Sequence, residues 1–554
     1  MPPLLATAAE IAETLSPPWW ATPLLLADWV IRLGTAGRVL MRRHDVELSL
    51  AWLLVVLVFP FAGAAVYWVF GEIRIGRRAA IRSLCPHADT ERYLEALRER
   101  ADASGLDDAL DRRFTPLAVQ AERATGVPAL PGNRLRLLPR TGEAFGRLAG
   151  AIDRAHNRVE MVYYIFMDGD ASVPVIDALV AAAERGVACR VLVDAIGSRA
   201  FLRRSPQADR LRAAGVELVA ALPSNPWRML IRRVDLRNHR KLAVIDREIA
   251  FTGSMNLLGP RRLAQSARVG PWVDAMVEVA GPAVGPLHAV FLEDWAAERQ
   301  PMPTLLTAER LPWEPERRQH ARVAAAGRRA RRPEGPAVRG LRAALKPPGV
   351  SAPTPAPAGT AAIGEAEGRD RGTCWVQVAP SGPHLTGQSI RELLLTALYA
   401  ARDHVTLTTP YFVPDEAVLV AMTSAAARGV SVTLIIPERL DSRLAQLAGE
   451  AHLPELLRAN VGVFHHRGGL LHTKSVTVDG DLSIVGTVNL DARSFYLNFE
   501  LSLLVYDRPF TGELEALQRS YLDRSVPVTL EALEDAAFPH RLARNAARLV
   551  GPLL

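Results

Sequence analysis

The sequence predicts an α/β protein of two repeated halves that meet at one site, behind an N-terminal pair of membrane helices. Three observations predict it. The 24-residue stretch Leu48–Gly71 carries no charge. Beyond about residue 130, the order of helix-like and strand-like periodicities runs through twice. Each run then closes on the same pattern of histidine, lysine and aspartate.

The chain of 554 residues exceeds one compact domain. At 49% hydrophobic and 23% charged it is not a disordered polymer. Cys85, Cys189 and Cys374 are odd in number and far apart, which excludes a disulfide framework and a CxxC zinc site. They read as packing or surface residues. The net charge of +7 suits acidic partners, nucleic acid or anionic lipid. Of 66 basic residues, three are lysine: Lys241, Lys346 and Lys474. A chain that uses arginine wherever plain charge suffices keeps lysine where a compact ammonium matters.

From the N-terminus, Trp19–Met41 contains Asp28, Arg32 and Arg38. Asp28 and Arg32 stand one helical turn apart and can pair, which eases burial in lipid. The segment reads as a spanning helix, with an interfacial helix as the alternative. Leu48–Gly71 would reach about 36 Å as one helix, enough to span. No basic residue precedes Arg32, unlike a cleaved leader. Arg74, Arg77, Arg78 and Arg82 follow the second helix, so the positive-inside rule puts the large part in the cytoplasm.

The expected divisions are 1–72, a membrane hairpin with helices about 19–41 and 48–71; 73–130, a juxtamembrane helical segment; 131–300 and 373–554, the two halves; and 301–372 between them. In the first half, Glu143–Ala155 and Val173–Arg185 read as helices, and Val159–Phe166, Cys189–Val193 and Val216–Ala220 as strands. In the second, Ser389–Ala401, Asp415–Ala427 and Leu444–Arg458 are helix-like, and Val405–Val413, Val430–Ile436 and Val461–His465 strand-like. An amphipathic tail closes the chain. Residues 301–372 hold 11 of the 40 prolines and a basic run from Arg317 to Arg332, and read as a disordered linker.

The two motif copies align without a gap. His239-x-Lys241-x4-Asp246 matches His472-x-Lys474-x4-Asp479, and Gly253-Ser254-x-Asn256 matches Gly486-Thr487-x-Asn489 at equal distances. In an extended HxK segment, His and Lys project to one face. Two such segments face to face give two imidazoles, two ammonium groups, two hydroxyls and two carboxamides. That set suits a phosphodiester. One imidazole attacks phosphorus and the other protonates the leaving oxygen. Lys241, Lys474, Asn256 and Asn489, with Ser254 and Thr487, would bind the phosphate oxygens. Asp246 and Asp479 complete the candidate catalytic set, bracing the motif strands rather than moving protons. Nothing in the set requires a metal or cofactor. His465–His466 has no metal partner at a helical or hairpin spacing.

The paired HxKx4D motif resembles the phospholipase D superfamily, and nearly the whole chain outside 301–372 resembles its bacterial cardiolipin synthase branch. LSLAWLLVVLVFPFAGAAVYWVFGEIRIGRR, VYYIFMDGD, TPYFVPDE, GTVNLDARSFYLNFE and ARLVGPLL carry that likeness. It implies two mixed-sheet sandwich halves sharing one active site. It implies transfer of a phosphatidyl group between two phosphatidylglycerol molecules, giving cardiolipin and glycerol, at the cytoplasmic face of a bacterial inner membrane. Glu500 then matches the carboxylate that orients His472, and Asp274 that for His239. His239 is the expected nucleophile and His472 the acid and base. Tyr164 and Tyr411 either line the headgroup site or pack the core. Asp168-Gly169-Asp170 resembles the metal motif of a magnesium-dependent phosphatidyltransferase family but lacks its later residues. A phospholipase D using water or another alcohol, or an anchored nuclease, remains the alternative. No aromatic-interleaved basic groove speaks for nucleic acid.

Overall fold

The computed structural model describes residues 21–42, 46–59, 61–72, 98, 111–223, 233, 235–259, 269–299, 374–383 and 389–551. The first helix, α1 (Ala21–Met41), forms where expected, and Asp28 pairs with Arg32 at 2.6 Å. The charge-free run is not one helix. α2 (Val46–Val58) ends before Pro60, Phe61 takes φ 48°, and α3 (Ala62–Val66) passes into a π-helical turn, Tyr67–Gly71. Proline has no N–H to donate, and its ring collides with the preceding turn. Asp28 also accepts from the Phe61 N–H at 2.8 Å. Val39, Trp52, Val56 and Tyr67 form a small core here. Leu26, Val30, Leu33 and Leu54 stay largely exposed. Among the described residues no helix is long and apolar enough to cross a membrane. The expected linker 301–372, and residues 73–110 of the expected juxtamembrane segment apart from 98, lie outside the described residues.

Runs rich in valine, isoleucine and leucine frame the rest. The first half supplies β1 (Leu130–Leu138), β2 (Arg158–Tyr163), β3 (Ala188–Asp194), β4 (Glu217–Ala221), β5 (Lys241–Ile245), β6 (Ile249–Gly253) and β7 (Met276–Ala280). The second supplies β8 (Cys374–Ser381), β9 (His404–Thr408), β10 (Ser431–Pro437), β11 (Gly462–His466), β12 (Ser475–Val478), β13 (Leu482–Gly486), β14 (Glu500–Tyr506) and β15 (Ser525–Pro527). All belong to one sheet, in the order β15-β11-β10-β9-β12-β13-β14-β8-β1-β7-β6-β5-β2-β3-β4. From the centre outward, each half repeats one series. β2-β3-β4 and β9-β10-β11 are parallel, and the strands between them and the centre antiparallel. Parallel neighbours need crossovers. The helices Thr141–Asp153 (α4), Val173–Glu184 (α5), Ser389–Ala400 (α6) and Glu416–Ala427 (α7) take the positions the periodicities predict.

Two predicted elements divide. Val405–Val413 becomes β9 and the pair Phe412–Val413, with Pro410 between. Leu444–Arg458 becomes α8 (Arg443–Glu450) and α9 (Leu453–Arg458), because Pro454 is tolerated only in a first turn.

The halves join through β1 and β8, antiparallel, at Leu130↔Val376 and Asn133↔Cys374. Each half has its own core on one sheet face. A third core, including Val162, Leu242 and Val277 with Val376, Val485 and Leu501, continues across the junction. Strands buried on both faces need no alternation, which is why KLAVI reads as a continuous apolar run.

Candidate active site

His239 and His472 stand two and three residues before β5 and β12, where each motif chain enters the sheet. Backbone pairing across the halves sets their places. The N–H of His239 donates to the Phe499 carbonyl at 2.9 Å, and that of Phe499 to the Arg237 carbonyl at 2.9 Å. On the other side, Leu470–Leu471 pairs in parallel with Trp272–Val273, and the His472 N–H donates to the Val273 carbonyl at 2.8 Å. Each histidine segment is therefore held against the segment that carries the other half's carboxylate.

The carboxylates consequently cross. Glu500 binds Nδ1 of His239 at 2.8 and 3.0 Å, and Asp274 binds Nδ1 of His472 at 2.6 Å. The expectation from resemblance, Glu500 on His472 and Asp274 on His239, is thus reversed. Chain proximity suggested a partner within each half, whereas strand pairing delivers the partner from the opposite half. With Nδ1–H donating to a carboxylate, Nε2 is the ring nitrogen left with a lone pair. It carries no hydrogen bond to a described residue.

Ser254 and Thr487 are placed differently from the phosphate-binding role given to them. Ser254 Oγ donates to Asp274 at 2.6 Å and Thr487 Oγ1 to Glu500 at 2.5 Å. Each accepts in turn from a backbone N–H, Ala275 at 3.0 Å and Leu501 at 2.9 Å. Their hydroxyls are spent holding the carboxylates of their own half. The preceding glycines permit the approach: a Cβ on Gly253 would lie 2.5 Å from the Ala275 oxygen, and one on Gly486 2.2 Å from that of Leu501.

Lys241 and Lys474 are buried, and each ammonium reaches the carbonyl of its own motif histidine, at 2.7 and 2.6 Å. Asn256 Oδ1 accepts from the Ile165 N–H at 3.0 Å, leaving a buried Nδ2 without a partner. Asn489 likewise keeps a buried side-chain atom unpaired. The unpaired Asn256 Nδ2 is a donor and suits an acceptor oxygen of an anion, whereas the unpaired atom of Asn489 is its acceptor Oδ1. Tyr164 stands edge-on to His239 with centroids 5.0 Å apart, and Lys241 Nζ lies 5.3 Å from the centre of the same ring. Tyr411 donates its hydroxyl to Asp441 at 2.7 Å.

Burial dominates the electrostatics. It pulls His239 down to about 4 and His472 to about 3, against the opposing pull of Glu500 and Asp274. It also lowers Lys241 to about 7 and Lys474 well below its ordinary value. Burial would raise Glu500 and Asp274, but the facing imidazoles and lysines outweigh it and hold both low. An arriving phosphate anion favours the charged form of every cation in the site.

Asp246 and Asp479 hold no imidazole. Asp246 accepts three backbone N–H bonds, from His156 at 2.8 Å, Asn157 at 2.8 Å and Arg158 at 2.7 Å. Asp479 does the same for Arg402, Asp403 and His404 at 2.9, 2.8 and 2.8 Å, and meets Arg113. Both tie the loop entering the neighbouring strand, β2 or β9. Away from the site, His466 Nδ1 meets the Tyr521 carbonyl at 3.2 Å, and Asp168 accepts from Ser205 at 2.6 Å.

Three positioning residues escaped the sequence reading. Arg240 is 1% exposed and donates to the Glu500 carbonyl at 3.0 Å, to Asp294 at 2.7 Å and to the Ser381 carbonyl at 3.2 Å. Asn498 donates to Glu500 at 3.1 Å. Trp272 lies against His472 with centroids 4.2 Å apart. The single pointer to Arg240 was its place inside the motif; the others lie outside any repeated pattern.

Comparison with known proteins bears on the family of the chain. The family described as "Cardiolipin synthase, PLD-like domain" matches residues 148–261 and 394–520, and "Phospholipase_D-nuclease N-terminal" matches 30–72. Cardiolipin synthase A of Yersinia pseudotuberculosis serotype IB (strain PB1/+) is 37% identical over 526 residues, 95% of this chain and 97% of that protein. Cardiolipin synthase A of Yersinia pestis shows the same 37% identity over 526 residues, with the same coverage. The crystal structure of phosphatidylserine synthase from Haemophilus influenzae Rd KW20 superposes with TM-score 0.52 at 16% identity, covering 79% of this chain and 100% of that one, a likeness of fold. With both motif copies intact and nearly the full length of these relatives aligned, the chain belongs to the cardiolipin synthase family of phospholipase D-like proteins.

Proposed function

We propose that the protein is a cardiolipin synthase that moves a phosphatidyl group from one phosphatidylglycerol to another through a phosphatidyl-histidine. The observation that carries this reading is the pair of imidazoles from opposite halves, each tied at Nδ1 by the other half's carboxylate. His239 Nε2 attacks the donor phosphorus, and the bond from phosphorus to the headgroup glycerol oxygen breaks. His472, as imidazolium, gives that oxygen its proton, and glycerol leaves. Neutral His472 then takes the proton from a headgroup hydroxyl of the second lipid. That oxygen attacks phosphorus, the N–P bond breaks, and cardiolipin forms. Lys241, Lys474, Asn256 and Asn489 hold the non-bridging oxygens throughout.

The substrates and product are lipids, and the exposed apolar residues of α1–α3 support placing this hairpin in the bilayer. The catalytic body then faces the cytoplasm beside the bacterial inner membrane. In phosphatidylglycerol micelles with excess chelator, the wild type is expected to release one glycerol per cardiolipin. Given a donor with a very good leaving group, His472→Ala should accumulate phosphohistidine at His239, and His239→Ala none. Phosphatidic acid as the main product would favour water as acceptor. An adduct on His472 would reverse the two roles.

A further inference from the structure

The helix Phe538–Val550 (α10) packs on the second half with the wrong face for a soluble protein. Its inner side is Ala547, 4% exposed and set against Val413, Leu447 and Ala448, and Arg544, 7% exposed and donating to the Leu533 carbonyl at 3.2 Å. Its large apolar residues point outward: Phe538 is 67% exposed, Leu542 58% and Leu549 78%. At helical spacing these three fall within about 40° of one another, on the side opposite Ala547. Leu444 of the neighbouring α8 is 44% exposed. A helix that hides alanine and displays leucine and phenylalanine requires a second apolar phase.

We propose that α10 is a second membrane contact, lying in the interface of an anionic bilayer. Charge selects this occupant. Arg541 and Arg548 are exposed along one edge of the apolar stripe, and α10 contains no acidic residue. Arginines flanking a narrow apolar stripe match phosphates above acyl chains. The contact is continuous with the active site, since Val413 under α10 is two residues from Tyr411 and pairs with Asp491, two residues from Asn489. The bilayer that supplies the phosphatidyl donor would thus lie one helix away from the segments leading to Tyr411 and Asn489. This purpose rests on the proposed phospholipid substrate; the contact itself does not.

The test uses the full chain, Cys85→Ser, carrying an environment-sensitive fluorophore on Leu542→Cys, in vesicles of phosphatidylglycerol and phosphatidylcholine. Nitroxides placed shallowly on the acyl chains should quench it about twofold, as expected for a helix seated at the headgroup boundary, while aqueous iodide should not. The same label on Glu248→Cys, exposed on the first half, should respond the opposite way. Asn545→Cys, on the same outer face, serves if the first variant misfolds. Quenching by iodide alone would overturn the proposal. So would energy transfer between labelled copies that survives dilution with lipid, which would assign the face to a second copy. His472→Ala should give the same quenching without turnover, so failure of the catalytic reading leaves this result standing.

Discussion

Glu500 and Asp274 each serve the half of the chain that does not contain them. This predicts a specific asymmetry. With the good-leaving-group donor, Glu500→Gln should lose the adduct at His239, by about 10²-fold or more in rate, while Asp274→Asn should still form it and fail to turn it over. Equal loss in both variants would contradict the division of labour. The site's pH response follows from burial. His239, drawn down to about 4, stays neutral and able to attack well below the ordinary imidazole range. His472, drawn down to about 3 before substrate arrives, becomes the imidazolium only once the phosphate anion is bound. It is therefore kcat, read on the bound complex, that should hold on the acid side to about pH 5. Lys241, drawn down to about 7, loses its proton as pH rises through that value, so kcat/KM should fall above it. A pH–rate profile in micelles checks both limbs, and an alkaline limb near 10 would refute the second. At this scale, sequence revealed the chemistry more fully than the contacts. His, Lys and Asn announce themselves by type and spacing. A hydroxyl such as that of Thr487 suits a phosphate or a carboxylate equally, and only the backbone around Gly486 decides which it meets.

The element scale adds the constraint that the glycines impose. Gly486→Ala would drive a methyl against the Leu501 carbonyl and push Thr487 away from Glu500. We expect a loss of about 1–3 kcal/mol, seen as a lower Tm, together with reduced turnover. Gly512→Ala is the control: it lies within the helix Arg508–Leu522 with nothing within 4 Å of an added Cβ, and should stabilise by about 0.4–1 kcal/mol. Most elements were legible because their period matched their burial, as in α4, α5 and β10. The misses have local causes. Pro60, Pro410 and Pro454 stood in plain view inside runs judged by apolarity alone. β1 contains Pro131 and Gly132, and β8 contains a buried Gln377 that donates to the Ala118 and Val127 carbonyls at 3.0 and 2.8 Å. Neither reads as a strand until its partner across the junction is known.

Across the whole molecule, one sheet and one shared core run through both halves, so the active site is a property of the complete chain. The expected topology can be checked there. A cysteine placed at 350–360 should resist an impermeant thiol reagent in intact spheroplasts and react after lysis; labelling before lysis would put the body on the other side. The crossed carboxylates also bear on how the enzyme is made. During synthesis, His239 emerges 261 residues before Glu500. At about 5–20 residues per second, the wait is roughly 13–52 s. Through that interval the imidazole of the nascent first half has no carboxylate to orient it. The His239 site is therefore incomplete until the strand that carries Glu500 has been made.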